Sequence, residues 1–477
     1  VRIAYLPVIS ARNVQSAPSY NFFVALHRHA LQLDPTSVFY VLVPEVVDGN
    51  RWQGGADWSL PRTHVLPVTM NESQSVELGL ITRDVFELFN ERFGECYFDL
   101  ILSEKPMLAS LLRQVTEFHV NTKSRGTLVV NRDQFTQDRG SQHCSVEVEL
   151  LQAAGWLAGP TIFQSDHQLK RAMGVARRHL APAHVRSIGE QSVVFPLGID
   201  CADVDSTNMA ERGQKNPDVT VNYSAKLFHQ NKFVESLKIM DSTYAGGRQV
   251  ELQVVTGSAA AKLAMIPRSR PFAYITTFGG TGRRQFLKQM ARAHIFISNS
   301  PWEDFSATIC EQLWTGLVPV LPDEPWARYL LPAQYPLLFR SMDEGQAMLR
   351  YAVDNLADLQ AEWVPRIQQK VAAEFDLAAI VPQMLTWMAE LNAKRRTDTA
   401  AATGQLRELV EKAFEAVPAE FGEEELYAAI KENSEGLDVN RDVESRSTSR
   451  WLCVDIMLAT HPELVDLGGR RVRWQKP

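Results

Sequence analysis

At 477 residues the chain is too long for a single hydrophobic core, and a prior of about 150 residues per domain gives roughly three. Hydrophobic residues at 45% and charged residues at 22% exclude a disordered or collagen-like polymer. The net charge of −7 excludes a protein whose whole surface coats nucleic acid or anionic membrane, because such a coat needs a broad positive field.

Cys96, Cys144, Cys201, Cys310 and Cys453 are odd in number and widely spaced, with no Cys-x-x-Cys pair. A reduced, cytosolic chain without a thiolate zinc site is expected. The opening VRIAYLPVIS has no basic leader and reads as a first buried strand rather than a signal peptide. No apolar run reaches the length that spans a bilayer, so a lipid substrate would be met from the water side.

In chain order, VRIAYLPVI is strand-like and NFFVALHRHALQL has helical spacing. SVFYVLVPE, FDLILSEK, GTLVVNRD and GPTIFQSD are further strand candidates, and HQLKRAMGVARRHL is a helix with a basic face. A second series follows VVFPLGIDC, where Pro196 and Gly198 mark a turn: DVTVNYSAK, VELQVVTGS, AYITTFGG, AHIFISNS and LVPVLPD, with helices between. Strands alternating with helices force parallel sheets, so the expected fold class is α/β with two doubly wound, Rossmann-like domains facing a cleft. Ligands in such folds lie beyond the carboxyl ends of the strands. Residues 376–394 read as a helix that Pro382 should kink or interrupt. The predicted organisation is 1–192 as a first Rossmann-like domain, 193–395 as a second, 396–404 as a linker and 405–477 as a small, mostly helical module.

The stretch from Ala293 to Asp323 carries the chemistry. A strand ends at Ser298, a short loop holds Glu303, and Ser306 to Trp314 reads as a helix with a small, polar first turn. A helix start at a strand end offers unpaired N–H groups and a positive dipole end, which suits a diphosphate without a metal. Phe305, Ser306, Ala307 and Thr308 form that turn, and the small residues allow close approach. Glu303 precedes the helix and Glu311 lies inside it, so the two carboxylates can address opposite ends of one long ligand. Carboxylates accept well from sugar hydroxyls. By spacing alone, two solvated surface glutamates are the better reading.

Glu303, seven intervening residues and Glu311, followed by Gly316 and Pro319-Val320, resemble the donor-site signature of the retaining glycosyltransferases of family four, which have the GT-B fold. The resemblance implies that Glu303 contacts the transferred sugar, that Phe305 to Thr308 meet the phosphates, and that Glu311 holds the ribose hydroxyls. VVFPLGIDC is similar to that family's inter-domain segment. YSAKLFHQNKF is similar to its cationic segment, which implies that Lys226 and Lys232 neutralise the diphosphate, with His229 as a further candidate. Lys226 stands where the family has Arg, Ala225 replaces its Gly, and Lys232 lies one residue late. Gly279 falls near the nucleotide base.

The first domain is similar in architecture only, since the loop SARNVQSAPSYN lacks the family's glycine-rich turn. Asn131, Arg132 and Asp133 stand where that family often has a catalytic His or Asp. A strand-end Asp133 serves equally as a helix cap or loop residue, and His119 and His143 are open between structural and functional roles. The resemblance implies a nucleotide-sugar donor such as a UDP-sugar, retention of configuration, and no cofactor or metal, there being no acidic pair placed for a divalent ion.

In the tail, VDLGGRRVRW reads as a β-hairpin turning at Gly468-Gly469, after a helix-turn-helix pattern. This resembles a winged helix-turn-helix, with Arg446, Thr448 and Arg450 at the start of the recognition helix and Arg470, Arg471 and Arg473 on the wing. A protein-docking module has the same composition. Joined to the donor site, the DNA reading points to transfer onto hydroxymethylated pyrimidines in DNA, as bacteriophage DNA glycosyltransferases do, in the host cytoplasm if the chain is of phage origin. The alternatives are a transferase acting on a lipid, polysaccharide or small molecule, and a non-catalytic ligand-binding protein.

Overall fold

A computed structural model describes residues 1–7, 18–44, 46–47, 50–51, 58–68, 98–104, 106, 112–113, 127–133, 136, 146–208, 211, 214–224, 233–245, 250–256, 275–279, 283–300, 303, 305–394, 420–422, 428, 464–466 and 471–474. The chain divides into two compact units. One comprises Val1–Val115 with Val129–Trp387, the other Thr116–Leu128 with Met388–Pro477.

The larger unit holds two sheets. The first is built from β1 (Arg2–Leu6), β2 (Val38–Pro44), β5 (Thr63–Val68), β6 (Leu100–Ser103), β7 (Leu128–Arg132), β8 (Thr161–Phe163) and β9 (Ser192–Val194), with a short ribbon of β3 (Val46–Val47) and β4 (Asn50–Arg51) after β2. Its order among the described residues is β5-β2-β1-β6-β7-β8-β9. The pairs β1–β2, β1–β6, β2–β5, β7–β8 and β8–β9 are parallel. Strands covered on both faces become continuous apolar runs, which is why Ile3 to Leu6 and Leu100 to Leu102 are all buried. Helix α1 (Pro18–Leu33) buries Phe22, Leu26 and Ala30 on one stripe at intervals of four, with Phe23 and His27 beside it. Helices α2 (Val146–Ala158), α3 (Asp166–His179) and α4 (Pro182–Gln191) complete this half.

The second sheet contains β10 (Val219–Ser224), β11 (Val250–Thr256), β12 (Ile275–Gly279), β13 (Ile295–Ile297), β14 (Val318–Pro322) and β15 (Leu338–Phe339) in the order β12-β11-β10-β13-β14-β15, parallel throughout. The helices are α5 (Cys201–Asn208), α6 (Phe233–Ala245), α7 (Arg283–Arg292), α8 (Ala307–Thr315), α9 (Pro325–Leu330), α10 (Met342–Asp354), α11 (Leu356–Glu374) and α12 (residues 377–394). In each sheet the strand order reverses once, between β1 and β6 and between β10 and β13. Chain connections diverge to opposite faces at such a reversal, leaving a crevice at the strand ends.

The two halves join at a narrow seam. Gly198 takes φ +73°, and a Cβ there would stand 2.9 Å from both Ile380 Cδ1 and Leu377 Cδ2. Ile199 N donates to Phe375 O and Leu377 N donates to Ile199 O, both at 2.9 Å. The segment entering the second half is therefore bonded to the segment leaving it.

Some sequence expectations need correction. Helix α12 runs on through Pro382: one carbonyl loses its donor, but Leu377, Ile380, Val381 and Met384 are buried, and that packing holds the helix together. Strands β5, β9 and β15 were not expected. β9 pairs with β8, so the first sheet extends past residue 192 to Val194.

In the smaller unit, β16 (Glu420–Gly422), β17 (Leu464–Asp466) and β18 (Arg471–Trp474) form an antiparallel sheet with β18 in the middle. The β17–β18 pairing is antiparallel with Asp466 opposite Val472, one residue out of register from a hairpin turning at Gly468-Gly469, which would set Asp466 opposite Arg471. The expected linker at 396–404 and the helix-turn-helix segment lie outside the described residues, apart from Ala428.

Candidate functional site at the strand-order reversals

The strongest arrangement lies at the carboxyl ends of β10 and β13. Ile295 to Ile297 are fully buried, and the chain leaves β13 through Ser298, Asn299 and Ser300 before α8. Trp326 Nε1 donates to Ser300 O at 3.2 Å, tying this exit loop to α9. Phe305 is buried against Phe375, ring centroids 5.6 Å apart, which anchors the residue just before the helix.

Ser306 caps α8: its backbone is extended, and its hydroxyl accepts from Ile309 N at 3.4 Å. Cys310 N donates to Ser306 O at 3.0 Å, so the first backbone bond of the helix closes there. The amides of Ala307 and Thr308 precede that bond and have no intrahelical acceptor. Both residues are half-buried. At the other end Gly316 adopts φ +89° as the left-handed C-cap, turning the chain straight into β14.

Helix α8 is fixed from below by a chain of buried amides that the sequence reading missed. Asn222 Nδ2 on β10 donates to Gln312 Oε1 at 2.6 Å, and Gln312 Nε2 donates to Thr308 O at 3.3 Å. Gln253 Nε2 on β11 donates to Asn222 Oδ1 at 3.2 Å and to Gln289 O at 3.0 Å. The signal was present as polar residues inside the runs VTVNYS and VELQVVT. Isolated amides in buried strands need partners, and here they hold the first turn of the helix in register with two strands.

The two predicted carboxylates face different neighbours. Glu303 is half-buried, and its negative charge acts on Tyr223 near the end of β10. Burial first, then the negative charges of Glu303 and Glu235, hold the Tyr223 phenol well above its usual value. Glu311 is 4% exposed and paired with Arg283, the first residue of α7. The same guanidinium reaches Asp203 of α5, with Nη2 at 3.1 Å and Nε at 3.3 Å from Oδ2. Its pKa is raised: burial lowers it, and the charges of Glu311 and Asp203 more than reverse that. Gly279 is the last residue of β12, the strand leading toward α7. Lys226, His229 and Lys232 lie outside the described residues.

At the reversal of the first sheet there is a second polar cluster that the sequence reading did not find. Arg132, 1% exposed, donates from Nη1 to Glu104 Oε1 at 2.5 Å and from Nη2 to Leu197 O at 3.1 Å, and lies 3.6 Å from the centre of the Phe22 ring. The Tyr5 hydroxyl donates to the same Glu104 oxygen at 2.7 Å. Burial and then the Glu104 charge hold this phenol far above its ordinary value. Asp133 follows in sequence but faces elsewhere: it is buried, and its Oδ2 accepts from Thr136 Oγ1 and Trp156 Nε1, both at 3.1 Å. Asp133 thus joins β7 to α2. Asn131 also turns to α2, donating to Gly155 O at 3.0 Å.

Arg471 and Arg473 occupy alternate positions of β18, with Glu420 and Val465 opposite Arg473. Arg446, Thr448, Arg450 and Arg470 lie outside the described residues. No described helix is long and apolar enough to cross a membrane.

Two parallel sheets with helices, each reversing its strand order once, place the chain in the α/β class with the GT-B fold. Solved structures with this fold include a sucrose-phosphate synthase from Thermosynechococcus elongatus, 15% identical, covering 82% of this chain and 99% of its own at a TM-score of 0.59. A glycosyltransferase from Rickettsia africae is 11% identical over 83% of this chain and 98% of its own, TM-score 0.59. HepE from Anabaena, solved with UDP-glucose, is 15% identical over 82% and 99%, TM-score 0.54. No family model and no curated protein sequence matches the chain.

Proposed function

We propose that the chain is a glycosyltransferase that moves a sugar from a nucleotide-sugar donor such as a UDP-sugar, with retention of configuration, to a hydroxymethylated pyrimidine base in DNA. The observation that carries the donor side is the half-buried Glu303, placed directly before the capped start of α8 on the connection that leaves β13 at the reversal of the second sheet. The likeness to glycosyltransferases of the same fold supports it, one of them solved with UDP-glucose.

In this reading Glu303 meets the sugar and the amides of Ala307 and Thr308 meet the diphosphate. Phe305 and Ser306 shape that turn, and Glu311 accepts from the ribose. Gly279 lies under the base. Lys226 and Lys232, with His229 near them, supply positive charge to the departing diphosphate, so that no metal is required. Residues 1–192 form the acceptor side and 193–395 the donor side. Asp133 has its carboxylate engaged within β7 and α2, so its part on the acceptor side is to shape the strand end. The module at 405–477 holds duplex DNA through Arg446, Thr448, Arg450, Arg470, Arg471 and Arg473. The target base leaves the stack to reach the site.

A small-molecule acceptor is the second reading, favoured by the sucrose-phosphate synthase among the structures of this fold. One experiment separates the two. The full chain is incubated with hydroxymethylated or ordinary duplex DNA and a panel of nucleotide sugars, and the digested nucleosides are weighed. A hexose or pentose mass added only to the hydroxymethylated base is expected. Donor turnover without any mass gain on DNA supports the second reading, and loss of turnover in Glu311→Ala separates either enzyme from a passive binder.

A further inference from the structure

We infer that Arg283 and Asp203 are positioning residues that make the nucleotide site selective for ribose, acting through Glu311; the inference rests on the donor-site reading above. Glu311 is buried on the second turn of α8, and Arg283 Nη1 takes its Oε1. Its other oxygen, Oε2, accepts no hydrogen bond from the described residues and is not among the polar atoms sealed off without a partner. One oxygen is thus clamped and the other left open.

A carboxylate held at one oxygen by a planar guanidinium cannot rotate freely, so the direction of the open oxygen is set. The guanidinium is set in turn by Asp203, which takes Nε and Nη2 on a single oxygen. Arg283 is 11% exposed at its side chain and Asp203 is 47% exposed, so the arginine is the enclosed member of the pair. Two acids on one arginine leave the group with a net negative charge. Such a group repels a phosphate and accepts from a hydroxyl. The ligand chemistry that fits the open oxygen is therefore a sugar hydroxyl, and the site should reject a nucleotide whose ribose lacks it.

The test uses the full chain and calorimetric titration with UDP and GDP, each against its 2′,3′-dideoxy counterpart. Wild type is expected to prefer the ribonucleotide by about tenfold or more, the size of a hydrogen bond to a charged group. Arg283→Ala should bring that preference below about threefold while leaving the dideoxy affinity unchanged. Arg283→Lys should recover part of it, and Asp203→Asn should fall between the two. Asp203→Asn and Arg283→Lys carry the test if Arg283→Ala does not fold. Equal weakening of both nucleotides, or an unchanged preference in every variant, overturns the inference. Wild type that binds the nucleotides without preference overturns it together with the contact of Glu311 with the ribose, leaving the diphosphate and sugar parts of the donor-site reading intact, whereas wild type that binds none of them overturns the donor-site reading itself.

Discussion

Replacing Glu104 by Gln isolates one charge in the middle of the first sheet. Arg132 is 1% exposed and loses its counter-charge, keeping as partners a neutral amide oxygen in place of the carboxylate, the Leu197 carbonyl at 3.1 Å and the Phe22 ring at 3.6 Å. Breaking a buried ion pair from one side costs about 3–5 kcal/mol, because the remaining charge has lost its hydration without compensation. The ring face returns about 2 kcal/mol at most to a desolvated cation, and it already does so in the wild type, so it does not reduce the difference. At about 2.1 cal/mol/K per residue, the larger unit shifts by roughly 1.3 °C per kcal/mol, so the thermal midpoint should fall by about 4–6 °C. Scanning calorimetry on wild type, Glu104→Gln, Arg132→Met and the double variant Glu104→Gln with Arg132→Met reads this directly. The double variant should be less damaged than the sum of the singles by several kcal/mol, since it buries no charge. A single-variant loss under about 1 kcal/mol, or a double variant at or beyond additivity, would refute the argument that the pair is buried and mutually dependent.

Gly316→Ala forces a Cβ into φ +89°, with Val364 Cγ1 at 3.4 Å from it, and should cost about 1–2 kcal/mol in a thermal melt. His294 accepts from Thr220 N through Nδ1 at 3.1 Å, and burial, with Lys215 second, pushes its pKa down to about 4. The unfolded imidazole takes its proton near about 6.5, so this contribution is complete above that pH and is lost as pH falls toward 4. Denaturant midpoints of wild type at pH 7 and pH 5 should differ more than those of His294→Asn. Gln312→Leu leaves Asn222 Nδ2 without its acceptor and should weaken nucleotide binding by loosening the first turn of α8, measured as a rise in Kd for UDP without loss of the folded signal. Transfer activity should survive EDTA, and activity lost to EDTA and restored by manganese would overturn the metal-free reading.

The parts of the fold that were legible in the sequence are those written as periodicity. The runs IAYL and VPVLP are continuously apolar where both faces are covered, and α1 shows its stripe at intervals of four. The cap at Ser306 and the stop at Gly316 are local signals, visible because small polar and left-handed positions restrict residue type. Thr63–Val68, Ser192–Val194 and Leu338–Phe339 were hidden for the opposite reason. They are short or contain Pro67, and pairing with a neighbour makes them strands. Pro382 misled because propensity weighs a missing hydrogen bond and cannot weigh the buried face around it. At the site, Glu303 and Glu311 could be found from spacing and resemblance. The partner of Glu311, Arg283, could not, since that contact joins residues 28 positions apart. The ion pair of Glu104 with Arg132 is equally silent in sequence, for nothing local distinguishes it from two surface charges.

The crossed bonds between Ile199 and the Phe375–Leu377 segment have a topological consequence. Everything from residue 200 to residue 375 leaves and rejoins the chain at neighbouring points, in the manner of a cassette spliced into a loop. Its two ends are separated by about the width of one strand pairing, roughly 5 Å. A chain carrying such a seam can have its second sheet exchanged by one clean cut whose stumps already touch.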